Sequence, residues 1–329
     1  MRRRWLLLAV ILTVPSGCDN VSWGGVDVRM QAPPPPAEAA PEAEGEAALE
    51  VSLPPLPGGP LLLVGTRDED TATLTVVGEV RGDGLAALPP ETEAPGYLAH
   101  LARSLLAPGT ELVLFAEGAR VGRLTVTETS QDDHSCVPRA QVTGVVELVP
   151  GASAARRLFA LRDTGAVRRP YTEFRLRDHD YDQRVASLEL AQEAIPVVGA
   201  AWPPSLLESR ADIQAFRMPD ASGPSVAATF LYGDRLSVGA ATAEGAYSLF
   251  VVGTSGGSGY RSSYVGFRRP SVEGKGIPRY FGHLDWDGDG DSEILLDVFG
   301  AESRWYAALG QRGGSWVQTF EDPCGAPTG

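Results

Sequence analysis

From residue 60 to residue 320 the chain is built of short apolar runs. Gly, Pro and Asp break them every few residues. Within the runs apolar and polar residues tend to alternate, the period of a half-buried strand rather than of a helix. This pattern predicts a mainly β protein. In the first part it places strands at 61–64, 72–80, 111–116, 122–127, 141–149 and 157–161, with Glu117-Gly118 as a tight turn. Residues 97–106 (YLAHLARSLL) instead space apolar side chains at 97, 98, 101, 105 and 106, a helical face stopped by Pro108-Gly109. Six strands and one helix over 61–165 fit a small barrel or sandwich.

A helical connector is predicted over 166–210. Residues 182–195 carry its helix, with Asp182 as cap, Val185, Leu188, Ala191, Gln192 and Ile195 near one face, and Pro196 as the stop. Strands return at 212–217, 226–232, 247–254, 261–268, 278–284, 293–298, 305–309 and 316–320. Their short spacing implies an antiparallel, meander-like, blade-like β region over 211–329.

The start of the chain is of another kind. Arg2-Arg3-Arg4 precede an apolar stretch from Trp5 to Val14, then Pro15-Ser16-Gly17-Cys18. A charged segment followed by about ten apolar residues is a secretory signal and is too short to span a bilayer. Ser16-Gly17-Cys18 resembles the bacterial lipoprotein cleavage box, although Pro15 stands where that pattern has an aliphatic residue. The resemblance implies that residues 1–18 are a signal, that Cys18 is lipidated and becomes the mature N-terminus, and that its acyl chains hold the protein to a membrane. The implied address is the cell envelope or outer surface. Residues 19–60 then read as a disordered acidic tether. Between Cys18 and Leu61 stand seven acids and one base, with Pro33-Pro34-Pro35-Pro36 stiffening the segment.

The formal charge of the whole chain is −14, which argues against phosphate-backbone contacts and so against a nucleic-acid partner. Part of that charge sits in residues 285–293, Asp-Trp-Asp-Gly-Asp-Gly-Asp-Ser-Glu. Acids at alternate positions of a tightly curled loop converge on one point, and Gly290 lets the backbone turn. Hard carboxylate oxygens suit Ca2+. The expected ligands are the side chains of Asp285, Asp287 and Asp289, the backbone carbonyl of Asp291, and Glu293, either direct or through water. Position 12 is Leu296 and a strand signal follows, so this is not a helix-loop-helix site.

The same nine residues resemble the calcium loop of an FG-GAP/VCBS-type repeat, found between strands of integrin-like propeller blades. The resemblance implies a four-stranded blade over 277–320, Ca2+ binding, and a surface protein of adhesion or recognition. One clear copy is present. Residues 218–226 align faintly with 285–293, sharing Asp220, Gly223 and Ser225. This is either chance or a second blade without an ion.

Other residues carry less. Asp178-His179-Asp180-Tyr181-Asp182 reads as a cap and solvated turn rather than a metal or base site. His100, His134 and His283 are isolated, and His283 reads as a packing residue. Cys136 and Cys324 either pair, closing a loop of about 190 residues, or remain two buried free thiols. No nucleophile elbow, zinc-helix motif or phosphate loop occurs. The sequence therefore favours a non-enzymatic, calcium-stabilised lipoprotein for binding or scaffolding, with a protein or glycan as ligand and an aromatic patch around Trp305, Tyr306 and Trp316. A secreted hydrolase with a site assembled from scattered acids is the alternative.

Overall fold

The computed structural model describes residues 53–82, 84–162, 173–218, 221, 223–257, 259–313 and 315–323. The expected signal segment with Cys18, residues 19–52 of the expected tether, and Cys324 lie outside them. From residue 53 onward the described chain forms one compact unit. No helix among the described residues is long and apolar enough to cross a membrane.

The fold is mainly β. Seven strands make the first part: β1 (Leu61–Asp68), β2 (Thr71–Arg81), β3 (Gly84–Ala86), β4 (Glu111–Ala116), β5 (Ala119–Asp132), β6 (Arg139–Leu148) and β7 (Arg157–Leu161). Their order is β1-β7-β4-β5-β6-β2, and β2 pairs back onto β1. Six strands thus close into a barrel, and β3 continues β2 outside the ring. The alternative of a sandwich is excluded by that closure. Helix α1 (Tyr97–Leu105) sets Tyr97, Leu98 and Leu101 against the barrel interior, which Leu61, Leu63, Leu74, Leu114 and Leu124 fill. Residues 53–60, the expected end of the tether, lie on the barrel. Leu53 and Leu56 pack against its core, and Gly59 N–H donates to Glu79 Oε1 at 2.7 Å. Leu53 and Leu56 are the physical reason residues 53–60 lie on the barrel.

Helix α2 (Tyr181–Val197) follows. Its cap is Asp180, not Asp182. The Asp180 carboxylate accepts from Gln183 N–H while the Gln183 side chain accepts from Asp180 N–H, a reciprocal capping box. Pro196 lies within the last turn rather than closing the helix. The buried face runs through Gln183, Ala186, Leu190, Ala191, Ala194 and Ile195, so the expected stripe was misplaced: Val185 and Leu188 are half-buried and Gln192 is exposed. A short helix, α3 (Leu206–Ser209), leads to the sheets.

All eight strands expected in the last part are present, in two four-stranded antiparallel meanders. The first sheet is β8 (Arg210–Phe216), β9 (Ser225–Tyr232), β10 (Tyr247–Gly256) and β11 (Gly259–Arg268). After the short helix α4 (Pro270–Glu273), the second is β12 (Gly276–Leu284), β13 (Glu293–Gly300), β14 (Arg304–Arg312) and β15 (Ser315–Glu321).

Side-chain alternation stacks the layers. On β13, Leu295 points at the barrel, joining Leu62, Val64, Phe159 and Leu161. Its neighbours Ile294, Leu296 and Val298 point the other way, against Phe216, Ala227, Phe250 and Val252 of the first sheet. The far face of the first sheet, with Val226, Phe230 and Leu249, is covered by Leu190, Ala194 and Ile195 of α2. The order is barrel, second sheet, first sheet, helix. Trp305, Tyr306 and Trp316 are core residues of the second sheet, only 4%, 3% and 8% exposed. The expected aromatic surface patch is therefore absent there: Trp305 and Trp316 pack against the first sheet and Tyr306 against the barrel.

A buried ion pair ties the chain end to the barrel. Arg139 on β6 pairs with Asp322 just after β15. Arg139 also donates to the carbonyls of Val76 and Val77, and Asp322 accepts from Tyr306 N–H at 2.8 Å. Cys136, close by, is disulfide-bonded. Pro323 lines the same small recess as Val137 and Pro138. Asp322→Ala leaves a buried guanidinium without its counter-charge, and a loss of about 3–5 kcal/mol is expected. Urea unfolding measures it; a change below about 1 kcal/mol would show the pair to be dispensable.

Candidate functional site

The loop joining β12 to β13 holds the acidic motif. Local hydrogen bonds curl it. Gly288 N–H donates to Asp285 Oδ1 at 2.5 Å, and Gly290 N–H to Asp285 Oδ2 at 3.2 Å. Asp289 N–H donates to Asp287 Oδ1 at 3.1 Å, and Asp291 N–H to Asp289 Oδ1 at 2.8 Å. Gly290 sits at φ 104°, a conformation a β-carbon would strain. Trp286 is fully buried and pins the loop to the core between sheet and barrel.

One oxygen from each of Asp285, Asp287 and Asp289 lies within 4.8 Å of the others, the one such group of three among the described residues. Oxygens bound to a single Ca2+ at about 2.4 Å fall within about twice that distance of each other. Glu293 opens β13, is 5% exposed, and accepts from Trp286 N–H at 3.1 Å. Burial, then the nearby Asp287, Asp285 and Asp289 charges, push its carboxyl up to about 9. A divalent cation would reverse that penalty, so the donor set fits a hard cation. The Asp291 side chain is exposed, as suits a residue expected to contribute its backbone carbonyl.

A second constellation lies just upstream. Register shifts in β12 between Tyr280 and Gly282, leaving Phe281 as a bulge. The extra residue puts Tyr280 and His283 on the same side, toward Phe216 of the first sheet. Their Oη and Nδ1 atoms are 2.7 Å apart. Arg157 from β7 donates to the carbonyls of Tyr280 and Phe281 at the bulge. The tip of the β4–β5 hairpin docks there, Gly118 N–H donating to the His283 carbonyl at 3.1 Å. Both tip residues have positive φ, 49° at Glu117 and 71° at Gly118, the demand of a tight hairpin turn. A β-carbon on Gly118 would come within 3.0 Å of His283 Nε2.

Between these elements opens a cavity of about 270 Å3, lined by Glu117, Glu173, Arg175, Arg177, Arg217, Met218 and His283. Burial raises the Glu117 carboxyl to about 7, opposed by the nearby Arg157. Burial lowers His283 to about 4, so its imidazole is neutral near pH 7. His283 is a packing residue, as its sequence context implied, and it also faces this cavity. Sequence reading missed the cavity. Its residues come from four separate segments, and only the Glu117-Gly118 turn was visible in advance.

The remaining candidates lie elsewhere. Residues 178–182 lead into α2, where Asp180 is the cap. His134 is exposed beside Asp132, and His100 is half-buried on α1.

The two shifted groups act oppositely on stability. Glu117 keeps its proton in the folded state after the unfolded chain has lost it. Its contribution is complete below its ordinary 4.5 and is lost as pH rises to about 7. His283 contributes fully above its ordinary 6.5, and this is lost as pH falls to about 4. Glu117→Gln removes only the first effect. Its melting temperature should exceed that of the wild type at pH 8 and match it at pH 4. Equal differences at both pH values would contradict the assignment.

No family model matches the chain, and neither a curated protein nor a solved structure matches it.

Proposed function

We propose that this chain is an exported, non-enzymatic cell-envelope lipoprotein. Cys18 carries its lipid anchor, residues 285–293 hold a structural Ca2+, and its task is binding or scaffolding. The observation that carries the reading is the convergence of Asp285, Asp287 and Asp289 beside the buried Glu293. Four carboxylates so close repel one another in a loop anchored by the buried Trp286, and a cation offsets the repulsion. Two stacked four-stranded meanders support the FG-GAP/VCBS-type resemblance, with the second carrying the ion. The ligand class this reading expects is a protein or a glycan.

A secreted hydrolase is the second reading. It is favoured by one observation, the cavity in which Glu117 and His283 carry shifted protonation. Groups of that kind gathered in one cavity mark acid–base sites as well as binding sites.

Two experiments test the leading reading. With free Ca2+ tenfold above the dissociation constant, binding stabilises by about 1.4 kcal/mol. A chelator should therefore lower the melting temperature of the wild type and leave Asp287→Ala unmoved; equal melting of the wild type with and without chelator would remove the ion from the proposal. In the second, Cys18→Ser should move the protein from the membrane to the soluble fraction. Unchanged membrane association would remove the lipid anchor.

A further inference from the structure

We propose that the cavity between the β4–β5 tip and the two sheets is a binding site for a small anion, recognised through a carboxylate or phosphate group. The inference stands apart from the ion loop and needs no Ca2+.

Charge is the first ground. Arg175, Arg177 and Arg217 meet at the mouth of the cavity. Arg175 is held by Glu173 at 2.6 Å. Arg177 and Arg217 have no ion-pair partner among the described residues. In a chain with a formal charge of −14, two uncommitted guanidiniums at one opening form a local field of the opposite sign. Planar guanidinium donors suit the paired oxygens of carboxylate and phosphate.

The floor supplies the second ground. His283 is 1% exposed, and its Nε2 makes no hydrogen bond of full geometry, only the weaker contact of the ring with the Arg217 backbone. Nδ1 is taken by Tyr280. A buried ring nitrogen without a well-formed hydrogen bond is costly, and this residue lines the cavity. Gly118 keeps the space in front of it open, since any β-carbon there would press on Nε2. A ligand oxygen on the floor would satisfy Nε2 while the guanidiniums hold its partner oxygen at the mouth. The Glu117 carboxyl shares the wall, where its protonated form can donate to the same ligand. Volume sets the size. About 270 Å3 is small for a drug-sized ligand and admits phosphate or a single sugar acid.

Titration calorimetry at fixed ionic strength tests this with two probes, inorganic phosphate and glucuronate. The wild type should give a saturable isotherm with at least one of them. Saturation by phosphate alone or by glucuronate alone identifies the group recognised, and either supports the site. Arg217→Gln and Arg177→Gln should each weaken that binding at least tenfold. Both side chains are exposed, so the fold should survive, which circular dichroism of each variant checks. Arg123→Gln, which removes an exposed guanidinium paired with Glu147 on the barrel, should bind like the wild type. The proposal is overturned if neither probe saturates the wild type, or if folded Arg217→Gln and Arg177→Gln bind as tightly as the wild type.

Discussion

The rest of the molecule is arranged around a sheet that has no face for water. Strands β13 and β14 bury side chains on both sides. Leu295, Tyr306 and Ala308 face the barrel, while Ile294, Leu296, Trp305 and Leu309 face the first sheet. An antiparallel sheet ordinarily keeps one face solvated. This one must be covered twice. In a propeller each blade is covered by its neighbours around a closed ring. Two sheets cannot close a ring, so other elements cover the ends of the stack. The barrel supplies one cover with Leu62, Val64, Phe159 and Leu161 on its outer wall. Helix α2 supplies the other, and it can be short of charge on its inner face because Leu190, Ala191, Ala194 and Ile195 lie there together. The run Leu61-Leu62-Leu63-Val64 follows from the same demand: its odd members fill the barrel and its even members meet the second sheet.

Polar groups then fix how these layers register. Apolar stacking alone tolerates sliding, whereas a buried donor left unpaired costs about 1–3 kcal/mol. Arg157 reaches from the barrel to the carbonyls freed by the β12 bulge. Thr229 of the first sheet donates to the Pro278 carbonyl of the second at 2.7 Å. Lys275 is buried against Asp234, joining the approach to β12 to the long connection after β9. Arg139 and Asp322 close the other side. Each contact joins segments distant in sequence and is satisfied in one alignment of the layers.

This division explains what was legible in the sequence. Strand positions were legible because period-2 alternation is local, and every strand expected from residue 61 onward is present; the choice of barrel over sandwich was not, because it rests on the pairing of β1 with β2. The three-residue β3 was not, since so short a segment carries no period. The α2 face was misplaced because Ala and Ser count for little in an apolar pattern, yet Ala186, Ser187 and Ala194 are buried here. Trp305, Tyr306 and Trp316 looked like a surface patch because a single sequence does not say how many layers cover a sheet. The acidic loop was legible because its donors are contiguous. The cavity was not, because the barrel tip, the β12 bulge and the end of β8 meet only after folding.

The faint internal alignment shows the same limit in sharper form. Phe216 pairs with Ser225 across β8 and β9, as Leu284 pairs with Glu293 across β12 and β13. The loops 217–224 and 285–292 are therefore equal in length and hold the same place in each sheet. This register is one residue off the alignment that matched Asp220, Gly223 and Ser225 to the acidic loop, so those identities are coincidental while the equivalence of the loops is real. In the structural register Met218 answers to Trp286, both buried and both directed toward the barrel side of their own sheet. Ser225 answers to the buried Glu293, and Arg217 answers to Asp285. What the two sheets share is the anchor, a large apolar side chain at the second loop position. What differs is the charge beside it. The loop in the second sheet gathers carboxylates around one point, whereas the loop in the first places a guanidinium at the mouth of the neighbouring cavity. A buried side chain at the second loop position leaves the positions around it free, and loops of equal length in equal register then present acids in one sheet and a base in the other.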